Sequence, residues 1–441
     1  MAQIIPFRGI LYNKEVVKEI SQVVAPPYDV ISEEKQHVLY DRHDKNVVRL
    51  ILGKMNEDDS PENNRHSRAA SFFNTWLDEN VLVQDETPAL YLSSVSFPVE
   101  NEMMTRYGLI CQVALEPFSK GIILPHEQTF SKVKSERLGL LKMCKANFSQ
   151  IFSIYSDQCG ILDALKAAVK GQTPDMDLLD DVNERHCLWK ITDPGVIAFV
   201  QKQMAEKRLY IADGHHRYET ALAYKDFLEQ TDSSFSADHP ANNIMMYLSS
   251  MEDPGLVILP THRLLNQADP VALGSLLENA AAYFDIRTEP WGDDADAAFG
   301  RFREMLKASG ATTSFGVVLK NRKAYYLFSL KPGVMEKKFG SSIPQVLQNL
   351  DVTVLTHLLF IELMGLSADA MDQEKLITYS ENDRHAAEAV MQGTSDAAFI
   401  LNSTRIGQVR EIAENGQTMP RKTTYFYPKA LTGLVFNTLK P

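Results

Sequence analysis

The segment LYIADGHHRYETALAY, residues Leu209–Tyr224, is the starting point for the architecture. Leu209–Ala212 is a short apolar run typical of a buried strand, and Asp213-Gly214 is a turn dipeptide. From His215 onward, apolar or small residues recur at the spacing of an amphipathic helix. The sequence therefore predicts a strand that passes through a tight glycine turn into a helix.

The first turn of this helix is a candidate anion site. A helix begins with unpaired backbone N–H groups and a partial positive charge, and both attract phosphate. We therefore assign phosphate or nucleotide binding to Gly214, His215, His216 and Arg217. Asp213 is expected to cap the helix or to hold a metal cation. An ordinary polar junction is the alternative, although core packing would favour apolar residues here.

The composition of the chain indicates a globular protein and excludes some partners. Its 441 residues suggest two or three domains, and 44% hydrophobic with 23% charged residues suits a soluble protein with a sizeable core. A net charge of −12 repels nucleic-acid phosphates, and there is no arginine-rich run to override it. We therefore expect no nucleic-acid partner.

The cysteines and the apolar segments indicate a cytoplasmic protein. Cys111, Cys144, Cys159 and Cys187 form no CxxC pair, so they are expected to be reduced thiols rather than zinc ligands. The N-terminal residues lack the apolar core of a signal peptide. The most apolar window, Val352–Leu366, is too short and too polar to span a bilayer, so no membrane association is expected.

Two further polar segments follow predicted strands. His126-Glu127 follows Pro125, and Arg137 comes ten residues after Glu127, which would suit a general base and an anion clamp. An ordinary loop with a solvated arginine is the alternative. His262 and Arg263 lie directly after another strand, where α/β sheets meet polar ligands, and we expect them to line the same pocket.

One segment near each end of the chain has two possible interpretations. Pro26-Pro27 forces extended backbone before Tyr28 and Asp29, which form either a rigid loop or a tip that reaches a pocket. Near the C-terminus, residues 416–430 combine proline, lysine and aromatic residues. This segment is predicted either as a lid whose Lys422 and Lys429 bind phosphate, or as a strand with solvated lysines.

The predicted fold class is α+β, that is, mixed α/β. We divide the chain into an N-terminal α/β region (1–103), a central catalytic domain (104–265) and a C-terminal α/β domain (266–441). The periodicity of residues 266–400 is ordinary, so this region is assigned to support or homo-oligomerisation.

Several motifs together resemble an uncharacterised bacterial family, domain of unknown function 1015 (DUF1015), over nearly the full length. The motifs are VVAPPYDVI, ILPHEQTF with ERLGLL, LYIADGHHRYETALAY, ILPTHRLL and MPRKTTYFYPK. The biochemistry of that family is not settled, so this resemblance bears more on fold than on function.

The IADGHHR motif also resembles the signature of the ParB/sulfiredoxin superfamily, which implies a ParB/sulfiredoxin-like central domain. In that superfamily the turn helps to bind CTP or ATP, and its free serine kinases carry an earlier HE…R…L segment that His126-Glu127 and Arg137-Leu138 match. The resemblance implies that Glu127 is the general base and that residues 213–217 form the phosphate and metal site. No helix-turn-helix follows, so a ParB-like chromosome role is not expected.

The expected function is phosphoryl transfer to a small hydroxylated metabolite, with L-serine as the first choice. Glu127, His126 and His216 are the candidate catalytic residues, with Mg²⁺ and a nucleotide (ATP, ADP or CTP) as cofactors. Three alternatives remain open: a phosphoserine hydrolase with a histidine nucleophile, a nucleotide-binding switch that regulates a protein partner, and a metal-dependent hydrolase. Adjacent histidines on a helix point in different directions, which disfavours the last.

Overall fold

The computed structural model describes residues 2–100, 102–127, 131–310, 312–367, 371 and 376–440, without the side chains of 131–133. The chain divides into two compact units: unit 1 comprises Met1–Val257 and Phe426–Pro441, and unit 2 comprises Ile258–Tyr425. The α+β class predicted from the sequence is confirmed, because both units combine helices with a sheet. The predicted division at 103/104 falls inside one strand, so residues 1–103 do not form a compact unit of their own.

The strands are numbered along the chain. They are β1 (Ile4–Ile5), β2 (Ile10–Tyr12), β3 (Leu82–Gln84), β4 (Leu90–Val99), β5 (Glu102–Ala114), β6 (Ile123–Leu124), β7 (Ala146–Asn147), β8 (Ile151–Tyr155), β9 (Met176–Leu179), β10 (Arg185–Ile191), β11 (Leu209–Asp213), β12 (Asn243–Ser250), β13 (Val257–Leu259), β14 (His262–Leu265), β15 (Phe284–Pro290), β16 (Ser314–Leu319), β17 (Ala324–Leu330), β18 (Ile377–Ser380), β19 (Ala397–Leu401), β20 (Tyr425–Tyr427) and β21 (Asn437–Thr438).

The α-helices of the described residues are numbered in the same way. They are α1 (Glu33–Arg42), α2 (Val48–Ile51), α3 (Arg65–Asp78), α4 (Ser131–Cys144), α5 (Ile161–Ala168), α6 (Pro194–Met204), α7 (His215–Thr231), α8 (Pro270–Ala280), α9 (Ala295–Ala308), α10 (Val334–Phe339), α11 (Gln345–Gln348), α12 (Asp351–Val354), α13 (Asp383–Met391) and α14 (Ile406–Glu414). A π-helix, Leu355–Leu363, continues from α12. No helix among these residues is both long and apolar enough to cross a bilayer.

A mixed sheet organises unit 1. Nine strands of the described residues take part, in the order β6-β11-β8-β12-β5-β4-β10-β9, with β1 beside β5. The pairs β6–β11 and β8–β12 are parallel, whereas the other neighbouring strands are antiparallel. Because β6 and β11 are parallel, the residues that follow them emerge at the same edge of the sheet.

Alternation along β12 explains how the last residues of the chain join unit 1. Ile244, Met246 and Leu248 pack into the main core, so Tyr247 points to the opposite face. There the ring of Phe152 contacts the rings of Tyr247 and Phe426, with centroids 5.1 and 5.6 Å apart. Burial of Phe426 on this face returns the C-terminal segment to the sheet, close to β11.

Unit 2 contains an antiparallel sheet that is covered on both faces. Its six strands, among the described residues, have the order β15-β17-β16-β19-β14-β18. Successive residues alternate between two apolar clusters: Val317 and Leu319 pack in one, and Val318 packs in the other. Burial of both faces accounts for the almost continuous apolar runs of β16 and β19 in the sequence.

Candidate functional site

The predicted strand–turn–helix is confirmed at β11 and α7. β11 ends at Asp213, and α7 begins at His215. Between them Gly214 has φ +94°, a left-handed conformation that residues with a side chain rarely adopt. A Cβ atom on Gly214 would lie 2.9 Å from Cζ of Arg217, so the guanidinium packs directly against the turn. Glycine is therefore required both by the backbone and by Arg217.

Asp213 holds two cationic side chains at this turn. Its Oδ2 lies 2.5 Å from Nη2 of Arg217, and its Oδ1 lies 2.7 Å from Nζ of Lys429. The three side chains are only 11–13% exposed. Burial would raise the pKa of Asp213, but Lys429 and Arg217 outweigh it and hold this pKa well below its usual range. The guanidinium of Arg217 also donates to the carbonyl of Gln150.

This pairing disfavours the predicted role of Asp213 as a metal ligand, which stays a prediction. Both of its carboxylate oxygens are engaged by cations, and the cluster with Arg217 and Lys429 already carries a net positive charge. A divalent cation placed against Asp213 would be repelled by its two neighbours. Asp213 therefore suits the positioning of Arg217 and Lys429 better than the binding of Mg²⁺.

Two buried histidines pack beside the turn. The main-chain N–H of His126 donates to Nε2 of His215 at 3.2 Å, and the two rings meet edge to face with centroids 4.8 Å apart. Burial lowers the pKa of His126 to about 4 and lowers the pKa of His215 well below its usual value. Both imidazoles are therefore neutral at pH 7, and His215, which accepts at Nε2, carries its proton on Nδ1.

Glu127 emerges at the same edge of the sheet as Asp213. In the parallel pair β6–β11, Ile123 is aligned with Leu209 and Leu124 with Tyr210. Glu127 and Asp213 each lie three residues beyond the second aligned pair, and Glu127 directly follows His126, which contacts His215. Glu127 is half-buried. His216, the other candidate catalytic residue, is also half-buried in the first turn of α7.

Tyr28 and Asp29 adjoin this cluster, although our assignment of site residues omitted them. The guanidinium of Arg137 lies 4.0 Å from the centroid of the Tyr28 ring, and both residues line a small cavity of about 70 Å³ with Arg217. Loss of water around the Asp29 carboxyl group, and then the Asp213 carboxylate, raise the pKa of Asp29 against the opposing effects of Arg217 and Lys429. In the sequence, the rigid Pro26-Pro27 pair directly before Tyr28 and Asp29 is the feature that could have indicated their place in the site.

Arg137 was predicted to clamp an anion, but most of its hydrogen-bond donors already bind groups of the protein. It is buried and pairs with the carboxylate of Glu136, and its Nη1 donates to the carbonyl of Ile51 at 2.8 Å. These contacts tie α4 to α2, and together with the Tyr28 contact they form one wall of the small cavity. Arg137 therefore shapes the site more than it offers free donors to a ligand.

His262, Arg263 and Lys422 belong to unit 2, whereas the Asp213 cluster belongs to unit 1. Buried His262 accepts from the N–H of Leu401 through Nδ1 at 3.1 Å, and burial lowers its pKa to about 4. Arg263 donates to the carbonyl of Thr261 and, at 2.9 Å, to the carbonyl of Lys422. Both side chains therefore make hydrogen bonds with main-chain groups of unit 2. These bonds explain why histidine and arginine occur here, and no ligand is needed for that explanation.

The predicted lid, residues 416–430, is divided between the units. Residues 416–425 belong to unit 2, whereas residues 426–430 belong to unit 1, where Lys429 is buried against Asp213. Lys429, which was predicted to bind phosphate, therefore contacts the DGHHR turn through an ion pair with Asp213, and its binding of phosphate stays a prediction. Lys422 is exposed in unit 2.

A second group in unit 1 has side chains of the types that bind metals. Asp180, Glu184 and His186 offer ligand atoms within 4.8 Å of one another. Nε2 of His186 lies 3.2 Å from Oδ2 of Asp180, and these two side chains therefore form a pair without an ion. Glu184 bonds to the side chain of Tyr427, and burial raises the pKa of Glu184. These contacts explain the group as a structural polar network.

Comparison with solved structures finds only distant similarities. A free serine kinase mutant in complex with ADP has 14% identity and a TM-score of 0.35, covering 72% of this chain and 86% of that one. A conserved hypothetical protein from Pyrococcus furiosus has 13% identity and a TM-score of 0.33, covering 73% and 93%. SbnI with a C-terminal truncation, from Staphylococcus aureus, has 10% identity and a TM-score of 0.34, covering 73% and 85%. At these scores the likeness says nothing about function, and the ParB/sulfiredoxin relationship stays a prediction.

Comparison by sequence is more decisive. No curated protein matches the chain. A family model described as "Protein of unknown function (DUF1015)" matches residues 4–353, which is most of the sequence. The match includes the PPYD, HE and DGHHR motifs. The chain therefore belongs to the DUF1015 family.

Proposed function

We propose that unit 1 is the catalytic unit of a nucleotide-dependent phosphotransferase that acts on a small hydroxylated metabolite. The observation that carries the proposal is the pair of cations, Arg217 and Lys429, held by buried Asp213 at the glycine turn that opens α7. Phosphoryl transfer depends chiefly on positioning of the reactants and on neutralisation of phosphate charge. Two fixed cations at a helix start would supply both.

The charge at the turn suits a phosphate group. Arg217 and Lys429 contribute two positive charges and Asp213 one negative charge, and the start of α7 adds a partial positive charge. Neutral His126 and His215 add hydrogen-bonding groups without adding charge. Because the ion pairs fix both cations before a ligand arrives, little side-chain entropy would be lost on binding.

Glu127 is the proposed general base. In the transfer step its carboxylate takes the proton of the substrate hydroxyl as that oxygen forms a bond to the terminal phosphorus, while the bond from phosphorus to the leaving nucleotide oxygen breaks. Positioned proton transfer of this kind contributes about 10²–10⁴-fold to a rate. The alignment of β6 with β11 supports this role, since it brings Glu127 to the edge where Asp213 lies.

L-serine is the first substrate to test, because the HE…R…L and DGHHR segments resemble those of free serine kinases in sequence. ATP, ADP and CTP are the donors to compare. A hydrolase that uses His215 as a nucleophile is disfavoured, because the N–H of His126 occupies Nε2 of that ring.

The test compares the wild type with Glu127→Gln and Arg217→Ala. Transfer of labelled phosphate to L-serine and to a panel of small alcohols is measured, and nucleotide affinity is measured by calorimetry. Glu127→Gln should lose about 10²-fold or more in rate and keep its nucleotide affinity, whereas Arg217→Ala should lose affinity. Glu229→Gln, on an exposed position of α7, is the control. Full activity of Glu127→Gln would remove Glu127 from this role, and unchanged nucleotide affinity in Arg217→Ala would contradict the proposed phosphate site.

A further inference from the structure

Unit 2 has a large polar cavity that the proposed function does not use. It occupies about 890 Å³ at one end of the antiparallel sheet, where β19 ends and β14 and β16 begin. Its lining includes Thr261 before β14, Thr313 before β16, and residues 401–405 after β19. A volume of this size is typical of sites for small metabolites and cofactors.

The turn from β19 to α14 supplies four consecutive polar residues of this cavity. Asn402, Ser403, Thr404 and Arg405 all line it, and α14 begins at Ile406. The main-chain N–H groups of Ile406 and Gly407 open this helix, whereas that of Gln408 donates to the carbonyl of Arg405, and a Cβ on Gly407 would meet no atom within 4 Å. The open first turn of a nine-residue helix therefore adjoins the polar wall.

The charges of the lining favour an anion. Lys307, Lys331 and Arg405 are cationic, against two carboxyl groups, those of Glu336 and Asp351. Burial raises the pKa of Asp351 to about 7, so at neutral pH this carboxyl group carries only part of a negative charge. The cavity is therefore positive in balance, although the chain as a whole is acidic.

A buried hydroxyl group in the wall of the cavity has no hydrogen-bond partner among the described residues. It is Oγ1 of Thr261, a residue that is 2% exposed. Buried polar atoms are nearly always paired, and an exception indicates an unfilled position. The neighbouring Thr404 and Thr423 are, by contrast, paired within the protein.

From these observations we infer that the cavity of unit 2 binds a small hydroxylated organic anion. Its phosphate or carboxylate head would lie at the start of α14 beside Arg405, and its hydroxyl groups would meet the Asn402–Thr404 wall. This inference is independent of the proposed function, since all of the residues that carry it belong to unit 2.

Hydrogen exchange of the full-length protein tests the inference locally. Exchange of peptides that cover residues 401–410 is compared without ligand and with inorganic phosphate, glycerol 2-phosphate or D-glycerate. We expect protection with an organic anion, and the comparison of glycerol 2-phosphate with D-glycerate identifies the head group. The protection should persist in Lys429→Gln, because that change affects unit 1.

Two variants and a matched control complete the test. Arg405→Glu reverses a charge in the wall, and Gly407→Glu adds a negative charge to the first turn of α14 beside it, so each should weaken binding about tenfold or more. Arg410→Glu lies on the same helix but outside the lining and should bind as the wild type does. Absence of protection by either organic anion, or equal protection in Arg405→Glu and the wild type, would overturn the inference.

Discussion

Nζ of Lys429 lies 2.7 Å from Oδ1 of Asp213, although the two residues are 216 positions apart in the sequence. This contact adds a second fixed cation to the candidate site, because Asp213 already pairs with Arg217 at the same turn. It also explains why the last segment of the chain returns to unit 1 after unit 2 is complete.

Replacement of Lys429 should weaken both nucleotide binding and the fold. Lys429→Gln removes one of two cations but leaves Asp213 paired with Arg217, so we expect an affinity loss of about tenfold or more and a stability loss of about 2 kcal/mol. Calorimetry and urea unfolding measure the two effects. Lys190→Gln, which breaks another Lys–Asp pair of unit 1, should change stability and leave affinity unaltered. Equal affinity losses in both variants would contradict a specific role for Lys429.

Gly214 should tolerate no side chain. Gly214→Ala places a Cβ at φ +94° and 2.9 Å from the guanidinium of Arg217, so the backbone strain of about 1–2 kcal/mol is accompanied by displacement of Arg217. Gly160 is a matched control, since it also precedes a helix with a positive φ but has open space where a Cβ would lie. Urea unfolding should show a loss in both variants, whereas nucleotide affinity should fall only in Gly214→Ala. If Gly214→Ala kept its nucleotide affinity, the position of Arg217 against the turn would not be needed for nucleotide binding.

The sequence was most informative where structure is local. The apolar run, turn dipeptide and helical period of Leu209–Tyr224 predicted β11 and α7 because each depends on neighbours along the chain. The pairing of Lys429 with Asp213 depends instead on a chain return that no local pattern reveals. His262 and Arg263 were misleading for a related reason: they begin β14, a strand of unit 2, where Arg263 donates to main-chain carbonyls.

Glu136 should make the stability of unit 1 depend on acid pH. Burial opposes its ionisation, but hydrogen bonds from His66 and Arg137 outweigh this effect and lower its pKa from 4.5 to about 2. A carboxylate with a lowered pKa stabilises the fold above its unfolded pKa, and this contribution is lost as the pH falls from about 4.5 to 2. Glu136→Gln should therefore cost about 2 kcal/mol at pH 7, after allowance for solvent screening, and much less near pH 2.

Urea unfolding across that pH range provides the measurement, with Glu86→Gln at an exposed position as the control. A stability difference between Glu136→Gln and the wild type that stays constant from pH 7 to pH 2 would show that the Glu136 carboxylate is not selectively stabilised in the folded state.

Asp351 should have the opposite effect in unit 2. Because burial raises its pKa from 3.8 to about 7, the folded state keeps a proton that the unfolded chain has already released. The contribution of Asp351 to stability is therefore fully present below about pH 4 and is lost as the pH rises through 7. Asp351→Asn removes this loss, so relative to the wild type the variant should gain about 3 kcal/mol between pH 4 and pH 8. Parallel pH profiles of unfolding would contradict the raised pKa.

A crystal of the full-length protein with a bound nucleotide would test the phosphate site at the DGHHR turn most directly. We predict that a phosphate oxygen lies within about 3.2 Å of the main-chain N–H groups that open α7 and of Nζ of Lys429, with Glu127 facing the terminal phosphate. A nucleotide bound elsewhere, with Arg217 and Lys429 making no contact with it, would contradict the phosphate site and the phosphotransferase proposal with it.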